Sequence, residues 1–296
     1  MNDIIMHINY GEKSFNHFGK NSIDDVCKLA SKIGFDGIEF RYNPPVELSD
    51  YSYEEYITEI AVCKKKYGLK RIILCMNMPD ASDPLKEKRD KNINNILERV
   101  KIANDLCQSD IFNTYAKEIK SSDTSVPSDS YELHGSYAAK EQDWALTVET
   151  FKILGEKLSS LGLKFAFETH MNYIHDIPSS TIKLVNLIDS PSIGINMDYG
   201  NTVYFPDQPD VEKTIEIYKN KLFYTHLKNS NPVPVSLKRF PCALSEGEIN
   251  HRIYLEKLKE IGYKGPIGIE APRPGDREWY ALCDFNYAKK LMEEIF

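Results

Sequence analysis

Four short apolar segments in the second half of the chain each end in a side chain that can bind a divalent metal. The segments are rich in β-branched or aromatic residues, which is typical of buried strands. Three of them are followed by a helical pattern before the next segment begins, as expected for consecutive βα units of a parallel sheet. The four side chains are Glu168 in KFAFETH, Asp198 in IGINMDYG, His226 in LFYTHLK and Glu270 in PIGIEAP.

The spacing of these segments predicts a closed barrel. The intervals from 168 to 198 and from 198 to 226 each fit one βα unit. The longer interval from 226 to 270 leaves room for an extra loop, which the Pro-containing stretch at 229–248 supplies. In a barrel of such units the carboxyl ends of all strands meet on one face, so we expect the four side chains to point into one pocket.

The first half of the chain continues the alternation of strands and helices. Ser22 is predicted to cap the first helix and Gly34 to end it. The predicted strands are 4–10, 37–41, 70–76 and 110–116, and the predicted helices are 22–34, 53–67, 84–107 and 141–161, with four more near 180–189, 209–220, 250–261 and 279–295. The predicted fold class is therefore α/β, a (β/α)₈ TIM barrel that forms a single domain over residues 1–296.

The composition of the chain limits the kinds of molecule that the protein is expected to bind. A formal net charge of −7 argues against nucleic acid or an anionic membrane surface, because both require clustered Lys and Arg. The amino terminus lacks the pattern of a signal peptide, no stretch of about 18 apolar residues occurs, and the six cysteines form no CxxC pair. We expect a cytoplasmic protein that acts on a small metabolite. The sequence leaves open whether it works alone, as a homo-oligomer or with a partner subunit.

Several segments resemble the xylose isomerase-like TIM barrels, also called the sugar phosphate isomerase/epimerase superfamily. The resemblance lies in IGFDGIEF, FETH, INMDYGN, THLKN and GEINHRIYLEKLKEIGYKGPIGIE. It implies that Glu168, Asp198, His226 and Glu270 bind one divalent cation, commonly Mn²⁺, with Mg²⁺, Co²⁺ or Zn²⁺ as alternatives. Three carboxylates and one imidazole agree with this, because a mostly hard oxygen ligand set suits Mn²⁺ or Mg²⁺.

Such a site predicts proton transfer next to a carbonyl. The cation would acidify the proton on the adjacent carbon and stabilise the enediolate that forms when a carboxylate removes that proton. The resemblance to the epimerases implies that Glu168 and Glu270 remove and return it. We therefore expect a metal-dependent isomerase or epimerase that acts on a sugar or sugar derivative through a metal-bound enediolate.

The sequence departs from the ketose epimerase pattern at two positions, so a lyase remains an alternative function. Asn201 stands where those enzymes often carry a histidine, and Pro232 where they often carry an arginine. The alternative function is an inosose-type dehydratase, or the catalytic subunit of a C-glycoside deglycosidase that eliminates an aglycone from a 3-oxo sugar. A barrel acting on DNA is not expected, because it would need more metal ligands and a basic face. The chain also lacks nucleotide-binding glycine motifs.

Four residues near the predicted ligands are candidates for binding the substrate. His170 lies two positions after Glu168, and Asn201 follows a glycine where either a substrate contact or a turn is expected. Lys228 is a candidate for an oxyanion, and Arg273 for a carboxylate or phosphate.

A long polar segment, residues 117–138, follows the fourth predicted strand. Loops of this length are unusual in a compact domain, so we expect a lid or a partner-facing loop, with a solvated surface insertion as the alternative. His134 is the candidate for a catalytic base carried over the metal by this loop. Tyr131 and Tyr137 are candidates for contacts with a bulky or aromatic part of the substrate.

Overall fold

A closed barrel of parallel strands is the central feature of the fold. The computed structural model describes residues 2–12, 22–234 and 238–296. The strands in this part of the chain are Ile4–His7 (β1), Gly37–Arg41 (β2), Arg71–Asn77 (β3), Ile111–Tyr115 (β4), Lys164–Glu168 (β5), Ile193–Asp198 (β6), Leu222–Leu227 (β7), Ser230–Pro232 (β8), Arg239–Pro241 (β9) and Ile267–Ile269 (β10). The barrel order is β1, β10, β7, β6, β5, β4, β3, β2. The predicted fold class, a (β/α)₈ TIM barrel, is confirmed.

Helices alternate with the barrel strands. Those in the described residues are Ile23–Ile33 (α1), Tyr53–Tyr67 (α2), Lys86–Cys107 (α3), Gly135–Ala138 (α4), Glu141–Leu161 (α5), Pro178–Ile188 (α6), Tyr199–Thr202 (α7), Val211–Tyr218 (α8), His251–Glu260 (α9) and Arg277–Ile295 (α10). The cap of α1 is the predicted one, because Ser22 and Asp25 form a reciprocal capping box. The helix ends at Gly34, whose φ of 112° suits glycine.

The chain divides into two compact units, and the predicted extent of one domain over residues 1–296 stays a prediction. The first unit comprises Met1–Cys75, Arg99–Asp110 and His226–Phe296. In it β1 pairs with both β10 and β2, and β2 also pairs with β3. These pairings place the end of β1 between the end of β2 and the loop that follows β10.

The second unit comprises Met76–Glu98 and Ile111–Thr225. In it β5 pairs with β4 on one side and β6 on the other. Buried aromatic rings pack along β5, with ring centroids 5.9 Å apart for Phe112 and Phe165 and 4.5 Å apart for Phe151 and Phe167. This packing holds together the strands whose last residues are Tyr115 and Glu168.

The extra loop predicted at 229–248 contains an antiparallel pair of short strands, β8 and β9. Residues 235–237 of this stretch lie outside the described residues. The buried Asn229 joins the two ends of the loop, because its side chain donates to the carbonyls of Leu244 and Ile249 and accepts from the Ile249 N–H. In the described part of the chain, none of the helices combines the length and apolar character that a membrane crossing requires.

Candidate metal centre

The four predicted metal ligands lie together in the structure. Glu168 and Asp198 are the last residues of β5 and β6, His226 lies near the end of β7, and Glu270 directly follows β10. One ligand atom of each lies within 4.8 Å of the other three. Three of the side chains are buried and Glu270 is nearly so. A buried cluster of this charge needs a compensating cation or strong hydrogen-bond donors, so the cluster could hold a metal ion.

The imidazole of His226 is oriented by Glu39, a residue of β2. Its Nε2 lies 2.8 Å from Oε2 of Glu39, and both side chains are fully buried. A carboxylate only accepts hydrogen bonds, so Nε2 carries a proton. In the neutral imidazole Nδ1 then holds the lone pair, and this atom lies 3.1 Å from Oε2 of Glu270. Two acceptors at this distance repel each other, and a cation bound to both would remove the repulsion.

Sequence reading missed Glu39, although the chain contains a signal for it. Glu39 is the middle residue of the apolar strand GIEFR and has no solvent exposure. A charged residue inside a buried strand is rare unless it is paired. The pairing partner, 187 residues away in the chain, is what the sequence did not reveal.

Two donors from β4 hold the carboxylate of Glu168. The side-chain amide of Asn113 donates to Oε2 at 2.6 Å, and the hydroxyl of Tyr115 donates to the same oxygen at 2.5 Å. Asn113 is fully buried, whereas Tyr115 is half-buried. Both residues point toward Glu168 because alternate side chains of a strand share one face. Neither was identified from the sequence.

Asn201 connects two of the predicted ligands. Its side-chain amide donates to Oε1 of Glu168 at 3.2 Å, and its backbone N–H donates to Oδ1 of Asp198 at 3.2 Å. Asn201 is almost fully buried. The structure therefore places Asn201 against the ligands, and its predicted contact with a substrate hydroxyl stays a prediction.

Lys228 lies at the site beside Glu270. Its ammonium Nζ is 3.3 Å from Oε2 of Glu270. Burial raises the pKa of the Glu270 carboxyl, but the surrounding electrostatic interactions, of which that with Lys228 is the largest, outweigh this effect and hold the pKa well below its ordinary value. Glu270 is therefore a carboxylate near neutral pH.

His170 follows Glu168 by two residues, on the loop after β5, and is half-buried. Its Nδ1 lies 3.0 Å from the carbonyl oxygen of Met171. A carbonyl only accepts, so Nδ1 carries the proton and Nε2 of the neutral ring is an acceptor. The ring makes edge contacts with Tyr115 and Tyr173, with centroids 5.5 and 5.6 Å apart. His170 thus has the geometry to accept a hydrogen bond from a hydroxyl.

Arg273 is engaged within the loop after β10. Its Nη1 donates to Oδ2 of Asp284 at 2.7 Å and to the carbonyl of Ala271 at 3.0 Å. The guanidinium also lies 4.2 Å from the centroid of the Tyr280 ring. Asp284 is buried and accepts a second bond from the hydroxyl of Tyr10. These contacts weigh against the predicted role of Arg273 in binding a carboxylate or phosphate of the substrate.

The long loop at 117–138 is docked on the loop after β5. The Ile119 N–H donates to the carbonyl of Asn172 at 2.8 Å, and the Ser136 N–H donates to Oδ2 of Asp176 at 2.9 Å. This loop, 117–138, is therefore packed against the segment that carries His170, which weighs against a purely solvated insertion.

The imidazole of His134 holds the loop together from inside. Its Nδ1 accepts from the Ser121 N–H at 3.0 Å, so Nε2 carries the proton and donates to the carbonyl of Pro127 at 2.9 Å. The side chain is buried. Both ring nitrogens are thus used by the loop backbone, which weighs against the predicted role of His134 as a base over the metal.

The two tyrosines of the loop differ in their surroundings. Tyr131 contacts Tyr204 and Phe205 of the segment after β6, with ring centroids 5.8 and 6.5 Å apart. Tyr137 is 75% exposed. Loop 117–138 therefore joins the segments that come after β5 and β6, and its predicted role in substrate choice stays a prediction.

Replacing Glu39 by Gln tests the orientation of His226. The substitution keeps the size of the side chain but removes the charge that fixes the proton on Nε2. We expect the Kd for Mn²⁺, measured by isothermal titration calorimetry, to rise by roughly 10- to 100-fold. Glu54→Gln makes the same change on the exposed face of α2 and should leave the Kd unchanged. Equal Mn²⁺ affinity of Glu39→Gln and the wild type would show that Glu39 does not support the site.

Replacing Gly135 by Ala tests whether the docked position of loop 117–138 matters. Gly135 has a φ of 52°, and a Cβ there would lie 2.0 Å from Oδ2 of Asp176. We expect faster limited proteolysis within the loop and altered substrate preference, while Mn²⁺ affinity changes by less than about twofold because the ligands lie elsewhere. Gly162→Ala, at a φ of 70° with open space around it, is the matched control. Unchanged proteolysis and substrate preference would argue against this role.

Comparison with protein families gives a match over most of the chain. The family described as "Xylose isomerase-like TIM barrel" matches residues 27–290. This range includes all four residues of the cluster.

Two curated relatives are dehydratases. The 3-dehydroshikimate dehydratase of Pseudomonas putida is 24% identical over 144 residues, which is 46% of this chain and 22% of that protein. The inosose dehydratase of Clostridium perfringens is 23% identical over 172 residues, which is 53% of this chain and 57% of that protein. The matched part of the chain thus spans between about a fifth and somewhat over half of the length of these relatives.

Solved structures of low sequence identity share the fold. An L-ribulose 3-epimerase superposes with a TM-score of 0.75 at 15% identity and covers 100% of this chain and 96% of its own. A xylose isomerase-like TIM barrel protein from Mycobacterium smegmatis, in complex with magnesium, has a TM-score of 0.74 at 18% identity, with coverages of 99% and 97%. At these identities the likeness shows the fold alone. By the match over residues 27–290, the chain belongs to the xylose isomerase-like TIM barrel family.

Proposed function

We propose that this protein is a divalent-metal-dependent isomerase or epimerase that acts on a sugar or sugar derivative. The observation that carries the proposal is the cluster of Glu168, Asp198, His226 and Glu270, whose ligand atoms lie within 4.8 Å of one another. Two members are glutamates with separate sets of hydrogen-bond partners, so the site has two carboxylates available for proton transfer. The likeness to an L-ribulose 3-epimerase structure supports this reading at the level of the fold.

Mn²⁺ is the cation that we propose for the site. Three carboxylates and one imidazole offer mainly hard oxygen ligands with one nitrogen, a set that suits Mn²⁺ and also accommodates Mg²⁺. The magnesium complex of the Mycobacterium smegmatis relative supports a divalent metal in general. When bound, such a cation polarises a substrate carbonyl and lowers the pKa of the proton on the neighbouring carbon.

The side chains of the site would transfer the proton and bind the substrate. Glu168 and Glu270 remove and return the proton at the carbon next to the carbonyl, and their hydrogen bonds keep both carboxylates in place before the substrate arrives. Nε2 of His170 accepts a hydrogen bond from a substrate hydroxyl. The ammonium of Lys228 donates to a substrate oxygen that gains negative charge as the proton leaves. His134 and Arg273 have no part in this scheme, because their polar atoms are bonded within their own loops.

Deuterium exchange tests the proposed proton transfer. The enzyme with Mn²⁺ is incubated in D₂O with a panel of ketoses, inososes and 3-oxo sugars, and the products are analysed by NMR. We expect deuterium at the carbon next to the carbonyl, and Glu168→Gln and Glu270→Gln should each slow its incorporation by about 10²- to 10⁴-fold. Glu54→Gln serves as the control. Product that forms without exchange would favour a hydride shift or internal return of the proton.

A lyase is the second candidate, and the position of Tyr115 favours it. Elimination needs a base for the proton and an acid for the departing oxygen. The hydroxyl of Tyr115 lies 2.5 Å from Oε2 of Glu168 and the residue is half-buried, so an acid stands beside the proposed base. Glu168 would take the proton from carbon, the C–O bond would break, and Tyr115 would protonate the leaving oxygen and recover a proton from Glu168. The two dehydratase relatives support this alternative.

Replacing Tyr115 by Phe separates the two functions. If the enzyme is a lyase, elimination should fall by about 10²- to 10⁴-fold while exchange of the proton next to the carbonyl persists. If it is an isomerase or epimerase, exchange and turnover should fall together and by less. Both rates are measured in D₂O on whichever substrate of the panel reacts. Tyr51→Phe, at an exposed position before α2, is the matched control and should change neither rate.

A further inference from the structure

Asn9, in the segment after β1, contacts Glu270 through its side chain. The amide Nδ2 of Asn9 donates to Oε1 of Glu270 at 3.1 Å. The amide oxygen Oδ1 accepts from Nη2 of Arg41 at 2.7 Å. Asn9 therefore forms a bridge between a guanidinium group on β2 and a predicted metal ligand.

The orientation of the Asn9 amide follows from the chemistry of its two neighbours. Arg41 has only N–H donors, so the amide oxygen has to face it. The carboxylate of Glu270 has only acceptors, so the NH₂ group has to face that side. The opposite rotation of the amide would place donor against donor and acceptor against acceptor. The charge of Arg41 thus determines which atom of Asn9 meets Glu270.

Arg41 itself is held by a buried carboxylate. Its Nε and Nη2 donate to the two oxygens of Glu12 at 2.7 and 2.8 Å, a bidentate arrangement. Glu12 is 2% exposed. The guanidinium therefore stays charged and in one orientation, which in turn fixes Asn9.

Arg277 at the start of α10 holds the backbone of the same segment. Its Nη1 donates to the carbonyl of Asn9 at 3.1 Å and to the carbonyl of Glu12 at 2.8 Å. The segment that carries Asn9 is thus bound through a side chain by Arg41 and through its backbone by Arg277.

The two carboxylate oxygens of Glu270 consequently have different neighbours. Oε1 is bonded to Asn9, whereas Oε2 lies 3.1 Å from Nδ1 of His226 and 3.3 Å from Nζ of Lys228. We propose that Asn9 is a positioning residue that retains Oε1, so that Glu270 binds a divalent cation through Oε2 alone, and that Arg41 sets the orientation of Asn9. This inference rests on the metal-dependent function proposed above.

Replacing Asn9 by Asp tests the proposal with Mn²⁺ alone as the probe. The new carboxylate would pair with Arg41 and repel Oε1 of Glu270, which would displace the ligand. We expect the Kd for Mn²⁺, followed by the electron paramagnetic resonance signal of free Mn²⁺, to rise by roughly 10- to 100-fold. If residue 9 instead faced the cation directly, an added carboxylate would lower the Kd, and that result would overturn the proposal. Asn94→Asp makes the same charge change on the exposed face of α3 and should leave the Kd unchanged.

Two further variants keep the test decisive if Asn9→Asp unfolds, which its thermal melting curve would reveal. Asn9→Ala removes the donor without adding charge and should raise the Kd about tenfold. A lysine at position 41 has no planar guanidinium that could bond Glu12 and Asn9 together, so the side chain of Asn9 would be held less firmly. Arg41→Lys should therefore raise the Kd by less than Asn9→Ala and broaden the spectrum of bound Mn²⁺. Wild-type Kd values in the folded variants would overturn the role of Asn9. A wild-type protein that binds no Mn²⁺ would overturn the proposed function as well.

Discussion

The burial of several carboxylates in one small region governs the electrostatics of the whole site. Charges removed from water are costly unless they are paired, and here the pairing differs for each ligand. Glu168 is hydrogen-bonded by neutral donors, the amides of Asn113 and Asn201 and the hydroxyl of Tyr115. Glu270 instead lies beside the charged Lys228. The two glutamates proposed to exchange protons with the substrate therefore have different electrostatic surroundings.

This difference bears on the reaction. In a symmetrical epimerisation each of the two carboxylates acts as base in one direction and as acid in the other. Elimination instead requires one group as base and a different group as acid. The phenol beside Glu168 and the ammonium beside Glu270 are both hydrogen-bond donors, which suits either reaction. In the proposed function, the reaction begins at the carbon next to a carbonyl. Under this proposal, the groups around each glutamate determine the step that follows removal of the proton.

Much of the architecture could be read from local sequence signals. The limits of α1, α2 and α5 are set by capping residues and terminal glycines, which act within a few positions of each other. The loop at 117–138 was located by its length and polarity, but its docking depends on a hydrogen bond between Ile119 and Asn172, residues far apart in the chain. His134 shows the same limit, because a loop histidine has the same appearance in sequence whether its ring nitrogens are free or bonded to backbone.

The barrel and the four candidate ligands were predictable from local features, because strand periodicity and residues at strand ends recur at regular spacing. The atoms that orient those ligands became visible in the folded chain, where distant residues meet. The partner of His226 is Glu39, and the partner of Glu270 is Asn9, which lies 261 residues away in the chain. The physical reason is that hydrogen bonding acts over about 3 Å in space, and no local pattern records which distant strands will bring two side chains that close.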